Sequence, residues 1–267
     1  MSKSRALPVG LIGYGAIGRV VAESIAAEAD ITLVGVLLRP GSARDVPANL
    51  PVAGDAAALL ALGPRVVVEA AGHAGLHAHA EALLRGGVDL LVASVGALAD
   101  AALESRLRAA ADAGGGRVLI PAGALGGLDA LGAARHAGLD SVEYTGRKAP
   151  KAWIGTKAES LIDLGAVTEP AVFFEGTARE AALAFPQNAN VVAAVALAGL
   201  GFEQTRVRLM VDPTEACNQH SVLAHGPFGE MSSHVVARVL PANPKTSMLA
   251  PYSLVRGLRN LVDVIAV

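Results

Sequence analysis

Five short runs in the first 120 residues are apolar through their middles rather than alternating, and nothing else in the chain restricts its fold as strongly. They fall at residues 8–12, 31–38, 65–70, 88–94 and 117–120. A strand with one wet face alternates apolar and polar residues, so a continuously apolar strand is one covered on both faces, as in a parallel sheet. Helical stretches separate these runs, at residues 16–29, 55–62, 76–85 and 100–113. Strand–helix alternation at this spacing predicts right-handed βαβ units and an α/β, doubly wound parallel sheet.

The first strand runs into Gly13-Tyr14-Gly15-Ala16-Ile17-Gly18, and a helix follows. Gly13 permits the tight turn, Gly15 lets a pyrophosphate approach the backbone, and Gly18 lets helix and strand pack closely. The free N–H groups at the helix start, including those of Ala16 and Ile17, then face the anion. The first domain, residues 1–122, is therefore read as a Rossmann domain that binds NAD or NADP. An NAD-specific enzyme places a carboxylate at the end of strand two. This chain has Leu37-Leu38-Arg39-Pro40 there. Arg39 is either a partner for the 2′-phosphate of NADP or a solvated loop residue.

Beyond about residue 121 the strands alternate instead. Thr205-Arg206-Val207-Arg208-Leu209-Met210-Val211 has one apolar face and one bearing arginines, and residues 234–240 read similarly. Helical stretches lie at 180–184 and 188–198, and a terminal helix at 247–265, with Thr246 or Ser247 as its N-cap. A second α+β domain on a largely antiparallel sheet is expected over residues 123–245, with the helix of 246–267 packing back on the first domain. Its sheet is expected to pair two subunits as a homodimer.

Composition excludes several alternatives. Net charge is −2 and no basic block occurs, so no nucleic-acid partner is expected. No apolar run reaches the ~20 residues that cross a bilayer, and the first residues lack a signal-peptide core. Cys217 is the only cysteine, which suits a reducing cytoplasm. With aromatics at 3%, the core must be built mainly from Ala, Val and Leu.

Three polar clusters interrupt the apolar second half: residues 185–191, residues 212–220 and residues 243–247. Together with the glycine loop, Ala93-Ser94-Val95-Gly96-Ala97-Leu98-Ala99-Asp100 and Ile120-Pro121-Ala122-Gly123-Ala124, they resemble the L-aspartate dehydrogenase family nearly end to end. The resemblance implies oxidation of L-aspartate to iminoaspartate with NAD or NADP, feeding quinolinate and NAD biosynthesis or hydrolysing to oxaloacetate and ammonia. It places the active-site histidine at His220 and nicotinamide-end contacts at Ala124 and Asn190. The family often has Ser where this chain has Ala122.

The chemistry agrees with these positions. Oxidising an amine requires the nitrogen to lose a proton, and a histidine is the natural general acid/base. Asn218, two residues from His220 on a strand, shares its face and would orient substrate. Two substrate carboxylates need cations or N–H donors. Lys245, Thr246 and Ser247 would form an anion site at a helix N-terminus, or simply cap that helix. Lys148, beside Arg147, is a further substrate ligand or a solvated edge residue. His73, His77 and His79 have tempting spacing, but no metal site is expected there. Two rivals remain: a thiol-dependent aldehyde dehydrogenase using Cys217, and a non-catalytic dinucleotide-sensing module. On a strand, Cys217 and His220 would face opposite sides.

Overall fold

A computed structural model describes residues 6–42 and 45–266. The chain divides into two compact units. One holds the chain up to Ser94, residues 100–121 and residues from 250 on; the other holds residues 95–99 and 122–249.

The first unit carries β1 (Leu7–Ile12), α1 (Ala16–Ala26), β2 (Ile31–Leu37), β3 (Val52–Ala53), α2 (Ala56–Ala61), β4 (Val66–Glu69), α3 (His73–Arg85), β5 (Asp89–Val92), α4 (Ala101–Gly114) and β6 (Val118–Leu119). All its strands pair in parallel, in the order β3-β2-β1-β4-β5-β6. That is the strand order of a dinucleotide-binding doubly wound sheet. The apolar runs form strands because both faces are covered: Val9, Leu11, Val36, Val67 and Val68 have no exposed surface.

Helix α1 buries Gly18, Val21, Ala22 and Ile25, spaced at three and four residues, against this sheet. It ends at Ala26, short of the expected residue 29, where Glu28 N bonds Ile25 O in a tighter final turn. Helix α3 starts three residues earlier than expected, so His73, His77 and His79 all lie on it. The C-terminal helix supplies Leu254 and Leu258 to the same core, and Arg259 bonds Glu28 at 3.0 Å and Asp30 at 2.6 Å.

The second unit carries α5 (Leu128–Ala137), β7 (Ser141–Lys148), β8 (Ala171–Thr177), α6 (Ala178–Ala184), α7 (Ala189–Ala198), α8 (Gly201–Gln204), β9 (Arg206–Val211), β10 (Asn218–Gly226), β11 (Gly229–Ala237), β12 (Val239–Leu240) and β13 (Asn243–Ser247). Five strands form a sheet in the order β11-β10-β7-β9-β8, antiparallel except for the parallel pair β7–β9. Alternate residues of β7, β9 and β10 are buried, which marks one covered face and one open face.

Two expectations are corrected here. The run at 234–240 is not one strand: β11 ends at Ala237 and β12 begins at Val239. The terminal helix (α9) spans Leu249–Arg259, and the Thr246 and Ser247 expected at its N-terminus lie on β13, which pairs with β12.

Candidate functional site

In the first unit the site is made of backbone. Gly13 has φ +87°, and a Cβ on it would lie 2.9 Å from Ala70 O and Ala71. A Cβ on Gly18 would lie 2.3 Å from Gly13 O, so helix and turn touch at van der Waals limits. Gly15 differs, because a Cβ there would meet nothing within 4 Å and the loop faces open space.

The helix caps separate in a telling way. Helices α2 and α4 begin with Asp55 and Asp100, whose carboxylates accept the first free N–H groups. Helices α1 and α3 begin with Gly15 and Gly72, and neither has a side-chain cap. These two helices follow β1 and β4, the central pair where the strand order reverses and where dinucleotides bind outside the carboxyl ends of the strands. Uncapped N–H groups at that point suit a pyrophosphate, so Gly13, Gly15, Ala16, Ile17 and Gly18 fit the implied cofactor. Arg39 is exposed two residues beyond the end of β2, a position open to a 2′-phosphate and to solvent alike.

In the second unit the site is made of side chains. The covered face of the five-stranded sheet is mostly apolar: Val142, Val207, Leu209, Val211, Val222 and Ala224. Against that background Tyr144 and Lys148 on β7, and Asn218 and His220 on β10, are buried on the same face. Register places His220 opposite Gly146, between Tyr144 and Lys148. The Tyr144 hydroxyl and His220 Nδ1 are 2.8 Å apart. Lys148 Nζ donates to Asn188 Oδ1 and lies 5.2 Å from the centre of the Trp153 ring.

Burial dominates the electrostatics of this corner. It drives His220 down to about 3, helped by the charges of Lys148 and His234, so the ring is neutral at working pH. It lowers Lys148 to about 8 and pushes the Tyr144 hydroxyl well above its ordinary range.

The remaining expected residues are placed as follows. Ala124 is buried, just after Gly123 at φ +64°. Asn190 is exposed in the first turn of α7, and its Oδ1 accepts from Gly96 N at 2.9 Å, leaving its amide N–H groups for another acceptor. Ser247 accepts from Leu249 N at 3.2 Å, and Thr246 accepts from Asn243 at 2.9 Å. The side chain of Lys245 lies outside the described residues. Arg147 points to the other face of β7, away from His220, and is bonded to buried Asp212. Tyr144 and Asn188 were not foreseen. Strand parity along residues 141–148 carries the signal for Tyr144, since it shares its inward face with Lys148.

The first unit is thus a nicotinamide-dinucleotide domain of an oxidoreductase. The family model described as "Homoserine dehydrogenase, NAD binding domain" matches residues 13–121, and that described as "Aspartate dehydrogenase, C-terminal" matches residues 129–261. An L-aspartate dehydrogenase of Cupriavidus taiwanensis is 45% identical over 98% of this chain and 100% of its own length. One from Ruegeria pomeroyi is 45% identical over 94% of this chain and 91% of its own. The crystal structure of aspartate dehydrogenase from Thermotoga maritima aligns with TM-score 0.79 at 26% identity, over 98% of this chain and all of that one. The chain belongs to the L-aspartate dehydrogenase family. Membership disfavours the thiol-dependent reading of Cys217.

Proposed function

We infer that this chain oxidises L-aspartate to iminoaspartate with NAD or NADP as the hydride acceptor. Its family membership over the whole length supports the reaction. The observation that carries the site is the buried polar corner on an otherwise apolar sheet face. Burying four polar groups together costs stability, and such clusters of perturbed groups concentrate at functional sites.

When bound, NAD or NADP would supply the acceptor for the hydride that leaves the substrate Cα. His220 takes the proton that the substrate nitrogen must lose. Its neutral ring has one nitrogen bonded to Tyr144, and the Nδ1–H tautomer, with Tyr144 Oη accepting, leaves Nε2 as the base. A bound dicarboxylate brings negative charge to this corner and raises the pKa of His220 towards the working range. Lys148, held by Asn188, supplies a cation for one substrate carboxylate, and Asn218 an amide. Lys245, Thr246 and Ser247 are the candidates for the second carboxylate. Ala124 and Asn190 are assigned to the nicotinamide end, and Arg39 to the 2′-phosphate of NADP.

The open face of the sheet carries exposed Val172, Leu223 and Val236 among charged residues. We assign it to a second copy of the chain, giving a cytoplasmic homodimer; sedimentation as a monomer at micromolar concentration would remove that assignment. The reaction is tested by following formation of reduced nicotinamide with L-aspartate at alkaline pH. Turnover with L-aspartate, and none with L-alanine or L-glutamate, is expected. Cofactor binding without turnover of any amino acid would favour a sensing module instead.

A further inference from the structure

We propose that Glu69 is a buried electrostatic element of the cofactor domain that favours the oxidised, positively charged nicotinamide over the reduced, neutral one. This rests on dinucleotide binding by the first unit and not on the identity of the substrate.

Glu69 ends the apolar run Val66-Val67-Val68 and has no exposed surface. It pairs with Ile12 of β1 and Val92 of β5. Its Oε1 accepts from Ala71 N at 2.7 Å and from the Ser94 hydroxyl at 3.1 Å, and its Oε2 accepts from Ser94 N at 3.0 Å. Both oxygens therefore receive backbone N–H groups, an arrangement that suits an ionised carboxylate better than a protonated one. Every one of these donors is neutral, so they delocalise the charge without cancelling it. Burial opposes ionisation and raises the carboxyl above its ordinary range. An amide in its place would set an NH2 group against one of these N–H donors, so the position demands a carboxylate, and the buried charge that comes with it calls for a use.

Its location supplies one. In the order β3-β2-β1-β4-β5-β6, the β1–β3 half takes the adenosine end, where Arg39 lies. The nicotinamide end falls to the half that begins with β4. The segment Glu69 holds, Ala70-Ala71, is also the wall against which Gly13 packs. The nicotinamide ring carries a positive charge that is lost on reduction. A buried anion beneath that half attracts the oxidised ring and is indifferent to the reduced one, with little screening by water. Capture of the oxidant and release of the reduced product are both favoured.

The test is calorimetric titration of the full chain with NAD, NADH, NADP and NADPH, without amino acid. E69Q removes the charge and turns one acceptor into a donor; the lost bond should weaken both forms alike, while the lost charge is expected to raise the ratio of oxidised to reduced Kd on the order of tenfold. Equal weakening of both forms, or no change, would overturn the proposal and leave Glu69 as a staple between loops. S94A and E69D keep the charge while disturbing the bonds, so both should weaken the two forms together. A shifted ratio in either would also overturn it, and this arm decides if E69Q does not fold. Failure of the substrate assignment would leave both ratios, NAD to NADH and NADP to NADPH, untouched.

Discussion

The two units hold their functional groups in different material. The cofactor loop is backbone, and what it demands of the sequence is the absence of side chains: Gly13 and Gly18 leave no room for a Cβ, and Gly15 keeps the space beside the loop open. The corner around His220 is side chain, assembled by strand register from residues 76 positions apart. A backbone site is local and leaves its mark in consecutive letters. A side-chain site is distributed, and its members become neighbours only when the strands pair.

This contrast breaks most sharply at His220. His220→Ala is expected to lower kcat by ~10²–10⁴-fold while leaving cofactor Kd nearly intact. A loss confined to cofactor affinity, with kcat unchanged in single-turnover measurements, would remove His220 from the proton-transfer step. Lys148 gives the next largest effect, with opposite signs on activity and stability. Its folded pKa of about 8 lies below the unfolded value of 10.5, so between those limits the unfolded chain binds the extra proton. Stability therefore rises with pH from about 8 to about 10.5, and below 8 the buried cation is a net cost. Lys148→Met is expected to raise Tm at pH 7 and to flatten that alkaline slope, while kcat/KM for aspartate falls by roughly 10²-fold. An unchanged kcat/KM would return Lys148 to a packing role.

Legibility followed the same division. The parallel sheet was readable because burial on both faces forces whole apolar runs, and Val66-Val67-Val68 could hardly be anything else. Strand β8, Ala171–Thr177, escaped notice because its half-buried residues alternate weakly and Gly176 interrupts them. Asn218 and His220 were paired correctly by the two-residue period of a strand. Lys148 was left between two readings because its partner Asn188 is 40 residues away, and a lysine on the inward parity of β7 shows no local reason to be buried. The terminal segment misled in another way. Thr246 and Ser247 look like helix caps, but pairing with β12 draws Asn243–Ser247 into a strand, and only Ser247 still accepts from Leu249 N. Glu69 was overlooked because a lone acid closing an apolar run resembles an ordinary strand end.

The glycine loop offers an internal control on the backbone half. Gly15→Ala places its methyl in open space, so Tm of the cofactor-free chain should hold, yet Kd for NAD and NADP should rise by roughly 10–100-fold as the methyl meets the pyrophosphate. Gly18→Ala drives a methyl to 2.3 Å from Gly13 O, so it should lower Tm before any cofactor is added, with a cost of about 1–3 kcal/mol. If both variants lost stability equally, the loop would be a packing element and its claim on the pyrophosphate would fall.

The smallest expected effect concerns Arg39, the residue proposed for the 2′-phosphate. It is exposed, so its attraction for a phosphate is screened by water and salt. Arg39→Ala should therefore raise Kd for NADP by only about 3–10-fold, while Kd for NAD stays level. The difference should shrink as salt rises from about 50 mM to about 500 mM, because the Debye length falls below the reach of the guanidinium. A loss shared by both cofactors would mean that Arg39 shapes the loop after β2. No loss for either would make it the solvated residue that its exposure equally allows.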